Sequence, residues 1–540
     1  MVGDNSFNDI LITDFGSTTT KARYFRKLER WKLFAVGEAP TSVEEPFCDV
    51  TIGLYEALEQ IQRRVDKKLV SDKHVCVDLF LSTSSAGGGL QVVVLAPTYG
   101  ISGQRAEKAA MLAGAILLKT ICLDENKSDI EAIKNISDLK PDIVIVVGSF
   151  DGSQVTYSEK FAEILLTANP EPRFKMQKKM PVILAGSSIA NVKAENILKE
   201  KFFCFAVENV SPSRFTENLS PLIFSIHEIF VSHVMANAPG YQSLLNLLSH
   251  EPEPTPIAAG RMVQFLAREF GRSCLCVDIG GATTDIFSCD ENGDSFVRTV
   301  CANYGMSYSI PNVLKDAKNA GILEITQNDE SRLFDKMLRP GTLPFTPEQL
   351  KLEHLLAKVA LYMSLERHKF FCKDLYREPE LVIGSGGVIS HCPTIQQASE
   401  ILIDGFQLSG ICELVADNLF LLPHLGILSN YMPPVAKSLF IEDCVRPLCV
   451  LVRPESCLWL SKFFKKKFGK VIVNEKFEFE ILVGKRLFVV LPEDVRHVKI
   501  DPVFGAEFKL IEKKMSLNGF RVVCIDGTPI RKKFFSDNVF

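Results

Sequence analysis

A chain of 540 residues is too long for one hydrophobic core, and with 46% hydrophobic residues it can build several, about three to four domains by length. A formal net charge of −4 with only local Lys/Arg clusters leaves no electrostatic footprint for nucleic acid, and no apolar run approaches the roughly 20 residues that a membrane span requires. Fifteen cysteines spread along the chain with no Cys-x-x-Cys pair read as reduced thiols of a cytoplasmic protein, and they argue against a disulfide scaffold, an iron–sulfur cluster or a zinc ribbon.

Met1 to Asn8 is short and polar, and the apolar run that follows breaks at Asp14, unlike a signal peptide. The first informative stretch is Ile10 to Lys21. An apolar strand meets Asp14 and turns through Gly16, Ser17, Thr18, Thr19 and Thr20. It then leaves as a hairpin, Lys21 to Val36, with a charged tip at Arg26 to Arg30. Glycine amides approach an anion closely and hydroxyls add donors, so the turn suits a phosphate. A carboxylate beside phosphate is repelled unless a hard cation lies between them, and Mg²⁺ typically bridges one or two carboxylates to phosphate while keeping its waters. The turn therefore reads as a Mg-nucleotide turn.

A helix is expected over Gly53 to Leu69, with Leu54, Leu58, Ile61 and Val65 on one face, then a strand from Val75 to Leu81 entering the Ser/Gly loop 82–89. That loop suits either a phosphate or a plain connection. From Val92 strands and helices alternate: Val92–Leu95, Gly103–Ala113, Ala115–Leu123, Lys127–Leu139, Ile143–Val147, Ser158–Thr167, Val182–Leu184 and Ala190–Lys199. This rhythm predicts a doubly wound parallel sheet inserted into the first lobe, with Gly148–Ser153 and Ala185–Ser188 at its strand ends. Ser220 to Met235 is a predicted helix, capped by Ser220, whose His227 and His233 have no metal-ligand spacing and read as core or solvated histidines. Thr255–Pro256 opens a helix through Phe270.

The first pattern then recurs. In Leu275 to Phe287, Asp278, Gly280, Thr283 and Thr284 stand where Asp14, Gly16, Thr19 and Thr20 stood, with Gly281 and Ala282 completing the turn. A hairpin follows, turning at Asp290 to Asp294. Recurrence at about half the chain's length predicts two similar lobes facing each other. Beyond it come a candidate site loop, Asn303 to Ser307, and a helix over Leu350 to His368. The strand at Glu380 ends in Gly384, Ser385, Gly386 and Gly387, which admits a flat ring or sugar to the backbone and fits the base and ribose end of a nucleotide. A tight connection would use the same residues. Leu419–Leu422 and Gly426–Leu428 are expected to supply the second lobe's last strand and helix. Short apolar strands from Leu448 to Ile525 predict a β-rich C-terminal domain, with Lys462–Lys470 as a solvated basic segment.

The paired aspartate turns and the Gly-Ser-Gly-Gly segment resemble the ATPase superfamily of actin, sugar kinases and DnaK-type chaperones, and within it the MutL/GlmL family, accessory proteins of glutamate (methylaspartate) mutase. The resemblance runs nearly full length, on Asp14–Lys21, Ser84–Leu90, Asp278–Asp285, Glu366–His368 and Ile383–Val388. It implies an α/β fold of two actin-like, ribonuclease H-like ATPase lobes with the inserted doubly wound domain and the β-rich C-terminal domain. The expected parts are 1–91 (first lobe), 92–210 (insertion), 211–270 (helical return), 271–438 (second lobe) and 439–540 (C-terminal domain).

The resemblance also implies ATP-driven restoration of an adenosylcobalamin-dependent mutase whose cofactor has been damaged. Under it Asp14 and Asp278 hold hydrated Mg²⁺, Gly16 to Lys21 and Gly280 to Thr284 cradle phosphates, and Gly384 to Gly387 border the adenosine. Asp278 or Thr283 would place the attacking water as a hinged cleft closes on Mg-ATP, and the inserted and C-terminal domains would grip the protein partner. The chain departs from the family at Gly148–Gln154 and at Gly305-Met306-Ser307, where members tend to read Gly-Gly-Thr-Asp-Gly-Gly-Asn and Gly-Met-Arg. Two other readings stay open: a sugar-kinase-type small-molecule kinase, whose substrate base the sequence does not locate, and a nucleotide-binding scaffold without turnover.

Overall fold

The computed structural model describes residues 7–16, 19–43, 46–71, 74–85, 90–123, 128–153, 156–171, 179–235, 238–281, 283–301, 304–307, 309–324, 326–338, 343–372, 375–457, 467–502, 506–507, 512–528 and 534–535. Ser17, Thr18, Ala282, the loop 86–89, Gln154, Asn303 and 462–466 lie outside them. The chain divides into two compact units: residues 1–260 with 298–300 and 423–436, and residues 261–297 with 301–422 and 437–540.

In the first unit, β1 (Asp9–Phe15), β2 (Thr19–Lys27) and β3 (Trp31–Pro40) form an antiparallel meander, and β4 (Leu79–Ser84) runs parallel to β1. Helix α1 (Val50–Gln62) covers one face, with Leu54, Leu58 and Ile61 packed in the core with Leu11 and Phe15. Asp49 caps its start by accepting from Thr51 N. The helix stops seven residues short of the expected Leu69 because the Gln62 amide takes over later backbone groups, accepting from Leu69 N and donating to Lys67 O.

The alternation beyond Val92 folds as expected. Strands β5 (Gln91–Ala96), β6 (Ile116–Cys122), β7 (Ile143–Val146), β8 (Pro181–Leu184) and β9 (Phe203–Ala206) pair in parallel in the order β9-β8-β7-β5-β6. Both faces of the central strands are covered, which explains why β5, β7 and β8 are nearly continuous apolar runs. Val92, Val94 and Ile145 join the core of the first lobe, whereas Val93, Leu95, Val144 and Val146 pack with residues of α3 (Asp129–Leu139), α4 (Thr156–Ala168) and α5 (Ser188–Leu198). Helix α2 (Gln104–Leu112) links β5 to β6. The chain returns through α6 (Ser220–Ile229), which starts at Ser220 with Leu219 as its cap and no side-chain capping bond, so Ser220 is not the expected cap. The two-residue β10 (Glu253–Pro254) pairs with β4 and completes the first sheet as β10-β4-β1-β2-β3.

Helix α7 (Thr255–Phe270) precedes β11 (Cys274–Ile279), β12 (Thr284–Cys289) and β13 (Val297–Cys301), and β14 (Leu381–Ser385) and β15 (Gly410–Asp417) follow. Their order, β13-β12-β11-β14-β15, repeats that of the first sheet. Leu275, Val277 and Ile279 share a core with Val359 and Leu361 of α8 (Pro347–Cys372) and Ile401 of α9 (Ile395–Phe406).

The last parallel strand, β15, is not the expected Leu419–Leu422. Glu413 interrupts its apolar pattern, yet this fully buried carboxylate accepts from Ser516 N, Ser516 Oγ and Leu517 N, which satisfies it. Three strands of the β-rich C-terminal region, β16 (Val445–Arg453), β19 (Arg486–Val490) and β22 (Val522–Asp526), extend this sheet to eight in the order β13-β12-β11-β14-β15-β16-β22-β19. The intervening β17 (Lys467–Val473) and β18 (Phe477–Leu482), with β20 (His497–Pro502) and β21 (Glu512–Lys514), form a separate antiparallel sheet. Among the described residues no helix is long and apolar enough to cross a membrane.

Candidate functional site

The first turn closes by a hydrogen bond from Gly16 N to Thr19 O of 3.1 Å, and pairing resumes at Phe15 opposite Thr20 and Asp14 opposite Lys21. The second closes from Gly280 N to Thr283 O at 2.9 Å, with Ile279 opposite Thr284 and Asp278 opposite Asp285. The two hairpins therefore have the same register and turn length. The repeat seen in the sequence is a repeat in backbone geometry.

Their aspartates differ in environment. Asp14 is 4% exposed, and its Oδ1 accepts from Thr83 Oγ1 at 2.8 Å and Thr255 Oγ1 at 2.6 Å. Among the described residues none donates to Oδ2. Asp278 is exposed, with the half-buried Asp285 across from it on the same face of the hairpin. Both carboxylates, with Asp417, follow burial in raising the thiol of fully buried Cys276 well above its ordinary range.

The threonines divide into two kinds. The hydroxyl of fully buried Thr20 bonds Thr41 Oγ1, and Thr41 Oγ1 in turn donates to Gly16 O at 2.9 Å, which braces the turn. Thr284, equally buried, donates to Tyr304 O. Half-buried Thr283 presents a hydroxyl that no described residue takes. Thr19 and Lys21 are half-buried, and Gly281 is exposed.

Each turn is flanked by the end of the neighbouring parallel strand. Ser85, just past β4, donates its amide and hydroxyl to Phe15 O at 2.9 and 3.1 Å. In the second lobe Ser385 pairs with Asp278, as Thr83 does with Asp14. Gly386 sits at φ +104°, where an added Cβ would lie 2.2 Å from Ile279 O. Gly384 is explained by packing, its Cβ position being 3.1 Å from Ile389 and Leu402 side-chain carbons, whereas at Gly387 the nearest atom is 3.9 Å away. The loop at 304–307 is strapped to the second turn by Met306 N to Gly280 O (2.9 Å) and Ser307 N to Gly281 O (2.8 Å).

Other expected candidates lie elsewhere. The strand-end loop of β7 is held by Asn209 Nδ2, which donates to Ser149 O and Asp151 Oδ1, and Ser187 caps α5. His368 is fully buried against Ser288 Oγ at 2.8 Å, and burial, then the Lys369 charge, pull it down to about 3. Sequence reasoning missed Thr83 and Thr255 as partners of Asp14. Thr83 lay inside the Ser/Gly loop and Thr255 looked like a helix opener, and nothing local connects either to residue 14.

Two α/β lobes with one strand order, each carrying the same glycine-closed aspartate turn, together with the doubly wound insertion and the β-rich C-terminal region, define a protein of the actin-like ATPase fold. The profile described as MutL protein matches residues 10–444, and the chain belongs to that family. It is similar to Protein MutL of Clostridium tetanomorphum, at 26% identity over 481 residues that cover 81% of this chain and 99% of the relative. Similar solved structures include a diol dehydratase-reactivating factor in nucleotide-free form (10% identity, TM-score 0.34, 78% of this chain and 99% of that one). Another is Plasmodium falciparum glycerol kinase with ADP (10% identity, TM-score 0.33, 81% and 94%).

Proposed function

We propose that this protein binds Mg-ATP through its two aspartate turns and uses nucleotide turnover to service an adenosylcobalamin-dependent mutase. The observation that carries the nucleotide reading is the identical register of the turns, each offering glycine backbone and a carboxylate at one strand end. The donor set suits Mg²⁺, because the carboxylates and hydroxyls are hard oxygen ligands. Asp278 and Asp285 stand directly opposite, an arrangement that repels in a hairpin and that a cation relieves. When bound, Mg²⁺ would neutralise charge on the β- and γ-phosphates.

The chain's own groups then have separate tasks. The backbone at Gly16, Gly280 and Gly281 receives phosphate oxygens, and the family resemblance adds Ser17, Thr18 and Ala282 to that set. Lys21 adds a positive charge beside the first turn. Thr83 and Thr255 hold the Asp14 carboxylate in one orientation, and the Thr283 hydroxyl is placed to orient a water. Gly387, which is exposed, offers open backbone to the adenosine just past the strand end at Gly384, Ser385 and Gly386. The mutase partnership rests on membership of the MutL family.

The nucleotide reading is tested by measuring ATP affinity of the full chain with and without Mg²⁺. Asp278→Ala is expected to lose at least about tenfold in affinity and most of the Mg²⁺ dependence. If Asp14→Ala and Asp278→Ala both leave affinity and Mg²⁺ dependence untouched, the reading fails. For the partnership, affinity capture from the native cells with and without Mg-ATP should recover a cobalamin-dependent mutase. An organism that has this protein and no such enzyme would remove that role and leave the ATPase.

A further inference from the structure

Behind the first turn lies a small cavity lined by Ser85, Leu90, Gly114, His227, Pro254 and Arg298, among others. It adjoins the Asp14 cluster on two sides. Ser85 bonds Phe15 O, and Pro254 directly precedes Thr255, whose hydroxyl holds Asp14. The cavity volume is about 30 Å³, roughly twice what one water needs, so it excludes a nucleoside and admits a small ion.

The cavity is built around a cation. Arg298 is 7% exposed, and Gly114, at φ +78°, leaves room for it: a Cβ there would lie 1.5 Å from Arg298 Nη1. His227 faces the same space, held below its ordinary pKa by burial and then by the Arg298 charge, so at neutral pH it presents an uncharged ring with one N–H donor. Among the described residues that line the cavity none is an aspartate or glutamate. A forked guanidinium and an imidazole N–H beside a cavity of this size match a compact oxyanion, whose several oxygens accept paired N–H donors.

We propose that this cavity is a site for a small inorganic oxyanion of the phosphate or sulfate class, with Arg298 as its principal ligand and His227 as a second donor. The anion comes either from solution or from ATP cleavage beside Asp14, and only the second source rests on the nucleotide reading above.

The test is retention of ³²P-phosphate by the full chain, in two arms: equilibrium dialysis with free inorganic phosphate and no nucleotide, and rapid gel filtration after incubation with γ-labelled Mg-ATP. Label retained in the first arm identifies the solution source, and label retained only in the second, and recovered as inorganic phosphate rather than ATP after acid quench and chromatography, identifies the cleaved phosphate. In either case Arg298→Gln should weaken retention about tenfold or more, the loss of a charge-assisted forked contact. Absence of label in both arms, or wild-type retention by a folded Arg298→Gln, overturns the proposal. Should Arg298→Gln fail to fold by circular dichroism, His227→Phe decides: it removes a donor and fills space, so wild-type retention there is equally fatal. Binding of a fluorescent ATP analogue, measured in parallel, keeps the two readings apart, since phosphate retention without ATP binding strikes only the nucleotide reading.

Discussion

Gly386→Ala is the sharpest probe of how the second turn is held. At φ +104° and ψ 154° Gly386 occupies backbone space that is essentially restricted to glycine, and placing alanine there costs of order 1–3 kcal/mol. The new Cβ would also fall 2.2 Å from Ile279 O and 2.9 Å from Ile279 N and C. Ile279 is buried and directly precedes Gly280, so the strand end cannot move away without dragging the turn with it. Overpacking of this kind adds about 1–3 kcal/mol, for a total of roughly 2–6 kcal/mol. Gly387→Ala is the matched control, because the nearest atom to its Cβ is His391 Nδ1 at 3.9 Å, and it should cost less than about 1 kcal/mol, near the ordinary effect of such a change. Urea unfolding followed by circular dichroism reads the difference. Equal midpoints for the two variants would refute the claim that Gly386 is required by its backbone and by the carbonyl facing it.

Three other outcomes follow from the same contacts. Thr255→Val removes one of the two hydroxyls on Asp14 Oδ1 and should cost about 1.5–3 kcal/mol, the usual worth of a hydrogen bond to a charged group, while Thr255→Ser recovers most of it; denaturant midpoints of the pair check this. Arg486 bonds Asp404 Oδ1 at 2.6 Å and the fully buried Asp526 Oδ2 at 2.7 Å. Arg486→Met leaves both carboxylates short of a partner, for an expected loss of about 3–5 kcal/mol measured by equilibrium unfolding. His368 is held near 3 by burial and then by Lys369, against about 6.5 unfolded. The unfolded chain therefore binds the extra proton, so its contribution is intact above about pH 6.5 and is lost as pH falls toward 3. His368→Gln should flatten stability between pH 6.5 and 4, and an unchanged slope would contradict the assignment.

The Asp14 environment also shapes how the proposed ATP site should be probed. Because Thr83 and Thr255 both hold Oδ1 of a buried carboxylate, replacing Asp14 disturbs two strand ends, those of β1 and β4, and the start of helix α7 at once. Asp278 is exposed where Asp14 is buried, so its substitution should perturb folding less. The cleaner reading of nucleotide affinity comes from Asp278.

The two turns, the doubly wound insertion and the long helices were legible in the amino-acid pattern alone. Each depends on neighbours a few residues apart: an apolar strand ending in aspartate, glycine and small hydroxyls, or an apolar stripe at helical spacing. Tertiary structure alone decided the partners of Asp14, 69 and 241 residues away. It also decided that the strand holding Glu413 is the core strand β15, and that three C-terminal strands extend the second lobe's sheet. Arg298 likewise entered a cavity beside Gly114 with no local signal. Backbone geometry follows from local chemistry, whereas the satisfaction of a buried charge depends on which distant segments the sheets bring beside it.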